Sequence, residues 1–200
     1  MLGMGSTQYF VAASIDGFIA TEGDDLAWLF EFNGATGQEA AYERFIEGVG
    51  ALIMGADTYR FMLGEDLAEW PYRGLPTWVF SHGDLPVPSR FAGEDIRFVQ
   101  GPVGPVHQEA LAAAGEKNLW LVGGGALAAQ FQELGLLDEL LLTLIPVVLG
   151  SGKALLPMNG PSEPLELLGQ QILGKGMLEL HYRLPGRPAG GLPEAPTSGV

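Results

Sequence analysis

Three adjacent glycines, Gly123, Gly124 and Gly125, separate a short apolar run, Leu119 to Val122, from an apolar-periodic segment carrying Leu127, Phe131 and Leu134. That order predicts a strand end, a tight turn and a helix start. Glycine adopts positive φ and, lacking a Cβ, lets a ligand approach the backbone. The free N–H groups and the positive dipole end of the following helix then suit a phosphate or pyrophosphate. Gly55, Ala56, Asp57 and Thr58 form a second strand-to-helix junction, where Asp57 or Thr58 is expected to cap a short helix running through Met62.

Other residues allow two readings each. Asp16-Gly17 is either a turn pair or a turn with a site-lining acid. Glu31 lies among aromatics, where desolvation would raise its pKa and suit a proton donor, or it is an ordinary surface acid. Trp28 and Phe32 are either core or a flat platform for a ligand. Thr143, inside an apolar run, needs a hydrogen-bond partner that a substrate or a neighbouring backbone group would supply. Ser81-His82 is no nucleophile–base pair, because adjacent residues on an extended chain point apart and no G-x-S-x-G elbow exists. Gly150-Ser151-Gly152-Lys153 lacks the first glycine of a phosphate loop and has Ala154 where Ser or Thr is required. His82, His107 and His181 are widely scattered, and no metal site is expected.

The composition bounds what these residues can belong to. Two hundred residues, 47% hydrophobic, can bury one good core, so one domain over 1–184 is expected. A formal net charge of −14 argues against binding to nucleic acid or anionic membrane, and a phosphate-bearing ligand must be held by local groups against that field. The absence of cysteine removes disulfides, thiolate metal sites and a cysteine nucleophile. No run reaches membrane-span length and no signal segment is evident, so a cytoplasmic location is expected.

The elements that must position these residues can be read in order. Gln8 to Ser14 is a strand buried on both faces, and Phe18 to Ala20 briefly resumes it. Ala27 to Phe32 is ambiguous between a short helix and a pocket wall. Gln38 to Glu47 is an amphipathic helix. Strands follow at Ala51 to Met54, Thr77 to Phe80 and Ile96 to Val99, then a helix at Val106 to Ala114 with Val106, Ala110, Leu111 and Ala114 inward. Asp138 to Val148 reads as a central strand interrupted at Pro146. Gly64 to Pro76, Asp84 to Glu94 and Gly150 to Gly160 read as loops. Leu165 to Leu173 and Met177 to Leu184 form a hairpin, and 185–200 is expected to be a disordered tail. The alternation indicates an α/β sheet with helices on both faces, whose ligands gather at the carboxyl ends of the strands. Asp16, Gly55 to Thr58, Ser81-His82 and the glycine triple all fall at such ends.

Five segments in order, VAASIDGFIA (Val11 to Ala20), LIMGADTYR (Leu52 to Arg60), WVFSH (Trp78 to His82), VGGGALAAQF (Val122 to Phe131) and DELLLTLIPVVLGSG (Asp138 to Gly152), resemble the dihydrofolate reductase superfamily. The likeness is greatest to the branch containing the C-terminal reductase domain of riboflavin biosynthesis. It covers roughly Gln8 to Leu184. The resemblance implies a three-layer dihydrofolate-reductase-like fold: a mostly parallel central sheet with a C-terminal antiparallel hairpin. It also implies an NAD(P)H-dependent reductase that passes a hydride to a C=N or C=O bond of a small heterocyclic or sugar-like substrate. NADPH is the expected cofactor, with NADH the alternative, and a homodimer is the expected assembly. By the same resemblance Ala12, Ala13, Ile19 and Ala20 border the nicotinamide, and Gly55 to Thr58 meet the pyrophosphate on one side while Gly123 to Leu127, including Ala126, cradle it from the other. Ser81 and His82 lie near the adenosine ribose, and Asp16, Trp28 and Thr143 face the substrate.

The chain also departs from the pattern. The family's phosphate motif usually has arginine after the glycine, where Ala56 stands here, followed by acidic Asp57; the fork that pairs with phosphate is gone. The substrate-facing acid of dihydrofolate reductases falls near Glu31 to Asn33 without a clear match, which argues against folate. A protein that keeps the fold and binds a nucleotide or other small ligand without turnover is the second reading.

Overall fold

The computed structural model describes residues 5–83 and 85–186. Strand β1 (Thr7–Ser14) shows why the sheet is buried on both faces: successive side chains alternate, with Tyr9, Val11 and Ala13 entering one apolar cluster and Phe10 and Ala12 the opposite ones. Next come β2 (Phe18–Ala20), α1 (Ala27–Phe30), α2 (Gln38–Glu47), β3 (Val49–Gly55), α3 (Ala56–Gly64), β4 (Thr77–Phe80), β5 (Ile96–Val99) and α4 (Val103–Ala114). The chain continues through β6 (Asn118–Val122), α5 (Gly125–Glu133), β7 (Glu139–Ile145), β8 (Lys153–Ala154), β9 (Glu166–Ile172) and β10 (Leu178–Arg183).

Eight strands form one sheet in the order β5-β4-β3-β6-β1-β7-β10-β9. Every pairing from β5 to β7 is parallel; β10 runs antiparallel to both β7 and β9. The expected mostly parallel sheet with a closing hairpin is therefore what forms. Helices α4 and α5 cover one face through Val106, Ala110, Leu111, Leu127, Ala128 and Phe131. Helices α2 and α3 cover the other, the front face, through Phe45, Tyr59 and Met62.

The anchoring of α2 matters for the site. Phe45 stacks on Phe10 of β1 with ring centroids 4.3 Å apart and meets Trp120 of β6 edge-on at 5.0 Å. Aromatic pairs of this geometry add roughly 0.5–1.5 kcal/mol each beyond the area they bury.

The expected interruption of the long apolar run at Pro146 is observed: β7 ends at Ile145, because Pro146 has no N–H for the ladder. Three sequence expectations are revised. Helix α3 is capped by extended Gly55 with no side-chain cap, so Asp57 and Thr58 already lie inside its first turn. The loop from Gly150 to Gly160 contains β8, which pairs with β2. The loop from Asp84 to Glu94 holds a 3-10 turn at Ser89–Phe91, and Asp84 itself lies outside the described residues. Residues 187–200, most of the expected tail, lie outside the described residues as well.

Candidate active site

Neighbouring strands β3 and β6 send their chains to opposite faces: β3 leads into α3 in front and β6 into α5 behind. In an open α/β sheet that divergence leaves a crevice at the carboxyl edge. The N-termini of both helices open onto it, with N-caps Gly55 and Gly124 that make no side-chain capping bond. A Cβ at Gly55 would meet nothing within 4 Å, and one at Gly124 only the Leu127 Cβ at 3.9 Å, so the space before both helix ends is clear. Gly123 and Gly125 are glycine for steric reasons. A side chain at Gly123, whose φ is +70°, would overlap Thr58, and one at Gly125 would strike the Ala154 and Leu155 carbonyls. The backbone N–H groups of both helix ends are thus of the kind that suits an anionic group.

Charge at this crevice is mixed. Asp57 Oδ1 accepts from Arg60 Nη1 at 2.8 Å within the first turns of α3, both side chains mostly exposed. Such a pair contributes about 0–1 kcal/mol, yet it keeps a cation beside the Asp57 carboxylate. At the end of β4, Ser81 Oγ donates to the Gly83 carbonyl at 2.6 Å, and His82 is exposed.

A separate cleft of about 540 Å³ opens on the front face between the sheet and α1–α2. Phe10 and Ala12 of β1, Thr143 and Ile145 of β7 and Glu179 of β10 form its floor; Leu29, Asn33, Gly34, Gln38, Glu39 and Tyr42 are among the residues of its opposite wall. Register explains the floor: Thr143 pairs with Ala12 on one side and Glu179 on the other, so the three side chains share one face at one level.

The expected site residues divide accordingly. Ala12 and Thr143 line the cleft. Ala13 and Ile19 turn into the back-face core. Trp28 and Phe32 pack with Ala35, Ala41, Ile145, Leu173 and Met177 beneath the cleft and do not line it. Glu31 is exposed and outside the lining; its main-chain carbonyl accepts from Lys175 Nζ at 2.6 Å. Asp16 is exposed and fully engaged: Ser14 Oγ donates to Oδ1 at 2.6 Å, and the Leu149 and Gly150 amides donate at 3.1 and 2.7 Å. Those bonds, led by Ser14, hold its pKa down at about 2. A carboxyl so held is an ionised clamp between the β1–β2 turn and the segment after β7, and it is poorly suited to donate a proton near neutrality.

Glu179 was not singled out from the sequence. It is half-buried on the cleft floor, where desolvation raises its pKa against the opposing pull of Arg44 and His181. The alternation of Leu178, Leu180 and Tyr182 with Glu179, His181 and Arg183 marks a polar face on that strand, but only the packing of α2 turns this face into a cleft. Beside it, Glu139 Oε2 accepts from Gln8 Nε2 at 2.7 Å and pairs with His181 Nε2 at 2.9 Å.

The fold agrees with what known proteins show. The family model described as RibD C-terminal domain matches residues 105–178. The chain is 30% identical to the uncharacterized protein YwjB of Bacillus subtilis (strain 168) over 176 residues, 88% of this chain and 96% of that one. The chain belongs to the RibD C-terminal domain family. A crystal structure from Shewanella sp. PV-4, described as a candidate riboflavin biosynthesis protein, superposes with a TM-score of 0.77 at 25% identity, covering 90% of this chain and 99% of that chain. Dihydrofolate reductase from Enterococcus faecalis, complexed with NADP(H), shares the fold at a TM-score of 0.55 and 15% identity, covering 90% and 97%. No helix among the described residues is long and apolar enough to cross a membrane.

Proposed function

We propose that the protein is an NAD(P)H-dependent reductase that transfers a hydride to a C=N or C=O bond of a small heterocyclic or sugar-like substrate other than folate. The observation that carries this reading is the pairing of two spaces. A crevice bounded by the uncapped N-termini of α3 and α5 meets the sheet edge near which β1 also ends, and β1 supplies Phe10 and Ala12 to a cleft on the front face. In this reading Gly55 to Thr58 and Gly123 to Leu127 hold the pyrophosphate, Ser81 and His82 border the ribose, and Ala12 lies where nicotinamide and substrate meet. A reduced nicotinamide bound there supplies a hydride from its C4. The chain's own work is to orient donor and acceptor in contact, with the apolar walls of Phe10, Leu29, Ile145 and Leu173 excluding water. The accompanying proton comes from water or a cleft acid, and Asp16 serves as the clamp described above.

A second reading, binding without turnover, draws on Ala56 and Asp57, which put a methyl and a carboxylate where the family usually has a phosphate-pairing arginine. One titration separates the cases. NADPH and NADH are added separately while tryptophan fluorescence and melting temperature are followed; a ligand that binds only the native state must raise the latter. Binding of either nucleotide, followed by its oxidation with some carbonyl or imine of a substrate panel, is expected. Binding without oxidation across the panel favours the second reading, and binding of neither at millimolar concentration removes the first. The homodimer is part of the same proposal: edge strand β9 presents Leu167 and Ile172 to solvent, 49% and 85% exposed, and a second copy is the partner proposed to cover them. A sedimentation mass of one chain would remove it.

A further inference from the structure

Residues 26–37, which comprise α1 and the segment leading into α2, have little of their own to hold them in place. Helix α1 is four residues long, has no side-chain cap and buries none of its residues, and Ala35 is the one buried residue of the whole segment. Among the described residues, three hydrogen bonds reach it from beyond its sequence neighbours, and all three come from the turn Gly174–Gly176 between β9 and β10. Lys175 Nζ donates to the Glu31 carbonyl at 2.6 Å and to the Asn33 carbonyl at 3.1 Å. The Gly174 amide donates to the Thr36 carbonyl at 2.8 Å, an approach so close that a Cβ at Gly174 would strike the Thr36 amide nitrogen. From this segment Leu29, Asn33 and Gly34 reach the front cleft and form part of its outer wall.

Lys175 makes its two bonds from a costly backbone position. Its φ is +59° and its ψ +23°, the left-handed region, where a side chain is disfavoured and glycine is not. The ammonium offsets that cost at the far side of the turn: the Glu31 and Asn33 carbonyls lie past the last turn of α1, where main-chain acceptors lack helical partners.

We propose that Lys175 is a positioning residue, a latch by which the β9–β10 turn holds α1 and residues 31–37 in place and whose release opens that wall of the cleft. Glu31, Asn33 and Lys175 are all exposed, so the latch parts at a small fraction of the free energy of global unfolding. Beneath it Trp28 and Phe32 stay packed with Leu173 and Met177, so the segment moves on an apolar footing while the sheet stays intact. The proposal rests on the reductase reading only for what enters the cleft; the latch itself belongs to the free protein.

The test is native-state hydrogen exchange on the intact chain, read at the Asn33 and Ala35 amides, which donate to the Phe30 and Phe32 carbonyls. Lys175→Met removes the donors and keeps the length, and exchange at both amides should rise about tenfold or more, with the amides of β1 and β6 unchanged. Lys175→Arg, which restores N–H donors, should return exchange towards the wild-type rate. Lys175→Gly should show the same local loosening with a urea midpoint close to wild type, because glycine relieves the left-handed backbone. For any acceptor that the protein reduces, Lys175→Met should change KM about threefold or more and leave the affinity for NADPH unaltered. Unchanged exchange at Asn33 and Ala35 in Lys175→Met, loosening that spreads equally to β1 and β6, or Lys175→Arg behaving as Lys175→Met overturns the proposal. Absence of turnover in every form of the protein would instead strike the reductase reading, and the exchange rates would still decide the latch.

Discussion

A β-carbon at Gly123 would lie inside the side chain of Thr58. These two residues belong to chain segments that leave adjacent strands for opposite faces of the sheet, so their contact brings the two helix N-termini of the crevice together. Gly123→Ala combines a positive-φ cost with overpacking, and the expected loss is about 2–4 kcal/mol of stability together with weaker nucleotide binding. Thr58→Ala should recover the overpacking share but not the φ share. Urea unfolding of the four members of the cycle would show a coupling of about 1 kcal/mol or more, and strict additivity would contradict the contact.

That relationship also marks the boundary of what the sequence disclosed. Leu119 to Val122 followed by three glycines shows a strand, a turn and a helix through local chemistry, and the same holds for Gly55 to Thr58. The functional meaning of Gly123 depends on Thr58, 65 positions away in the chain, and no local pattern contains it. Asp16 is similar: an Asp-Gly turn is visible in the sequence, but the Leu149 and Gly150 amides that occupy its oxygens arrive from the other end of the chain. Glu179 was hidden for a third reason. A polar residue alternating with leucines reads as a solvated strand face, and α2 covers that face only because Phe45 docks on Phe10 and Trp120.

Asp57 sits in the first turn of α3, where a carboxylate favours the helix but repels an incoming phosphate. Asp57→Asn should raise the affinity for NADPH about two- to fivefold at low ionic strength. The gain should fade as salt is added, since both partners of the Asp57–Arg60 pair are exposed. Stability should change by less than about 1 kcal/mol. Calorimetric titration at two salt concentrations checks this, and an unchanged affinity at low salt would place the phosphates away from α3.

The Asp16 clamp predicts a pH dependence with a defined sign. Its native pKa, about 2, lies below the ordinary value of 3.8, so the native state binds fewer protons than the unfolded chain between these values. Its contribution is therefore fully present above pH 3.8 and is lost as pH falls towards about 2. Because the side chain is exposed, solvent screening keeps the contribution small. Asp16→Asn should flatten that part of the stability profile and speed hydrogen exchange at the Leu149 and Gly150 amides near neutrality. Unchanged exchange at both amides would show that the segment after β7 is held without the carboxylate.

His107 gives the opposite end of the pH scale a comparable handle. Its ring is buried on α4 against Phe131, with centroids 5.8 Å apart, and Nε2 shares a 2.8 Å hydrogen bond with Thr7 Oγ1 on β1. Among the described residues Nδ1 has no partner. The neutral ring leaves one nitrogen unsatisfied; the cation would present two N–H groups to one hydroxyl in an apolar shell. Burial accordingly lowers the pKa of His107, with Asp138 opposing. For a histidine whose native pKa lies below its unfolded value of 6.5, stability is flat well above 6.5 and falls as pH drops through it. Urea midpoints measured from about pH 8 to pH 5 should therefore decline in the wild type and decline less in His107→Gln, which cannot titrate but can still meet Thr7. Thr7→Val removes the hydroxyl and keeps the shape, leaving both ring nitrogens unpartnered at a cost of about 1–3 kcal/mol near neutrality. If the midpoints of wild type and His107→Gln run parallel over that range, the ring is solvated in the native state and the contact between β1 and α4 is looser than described.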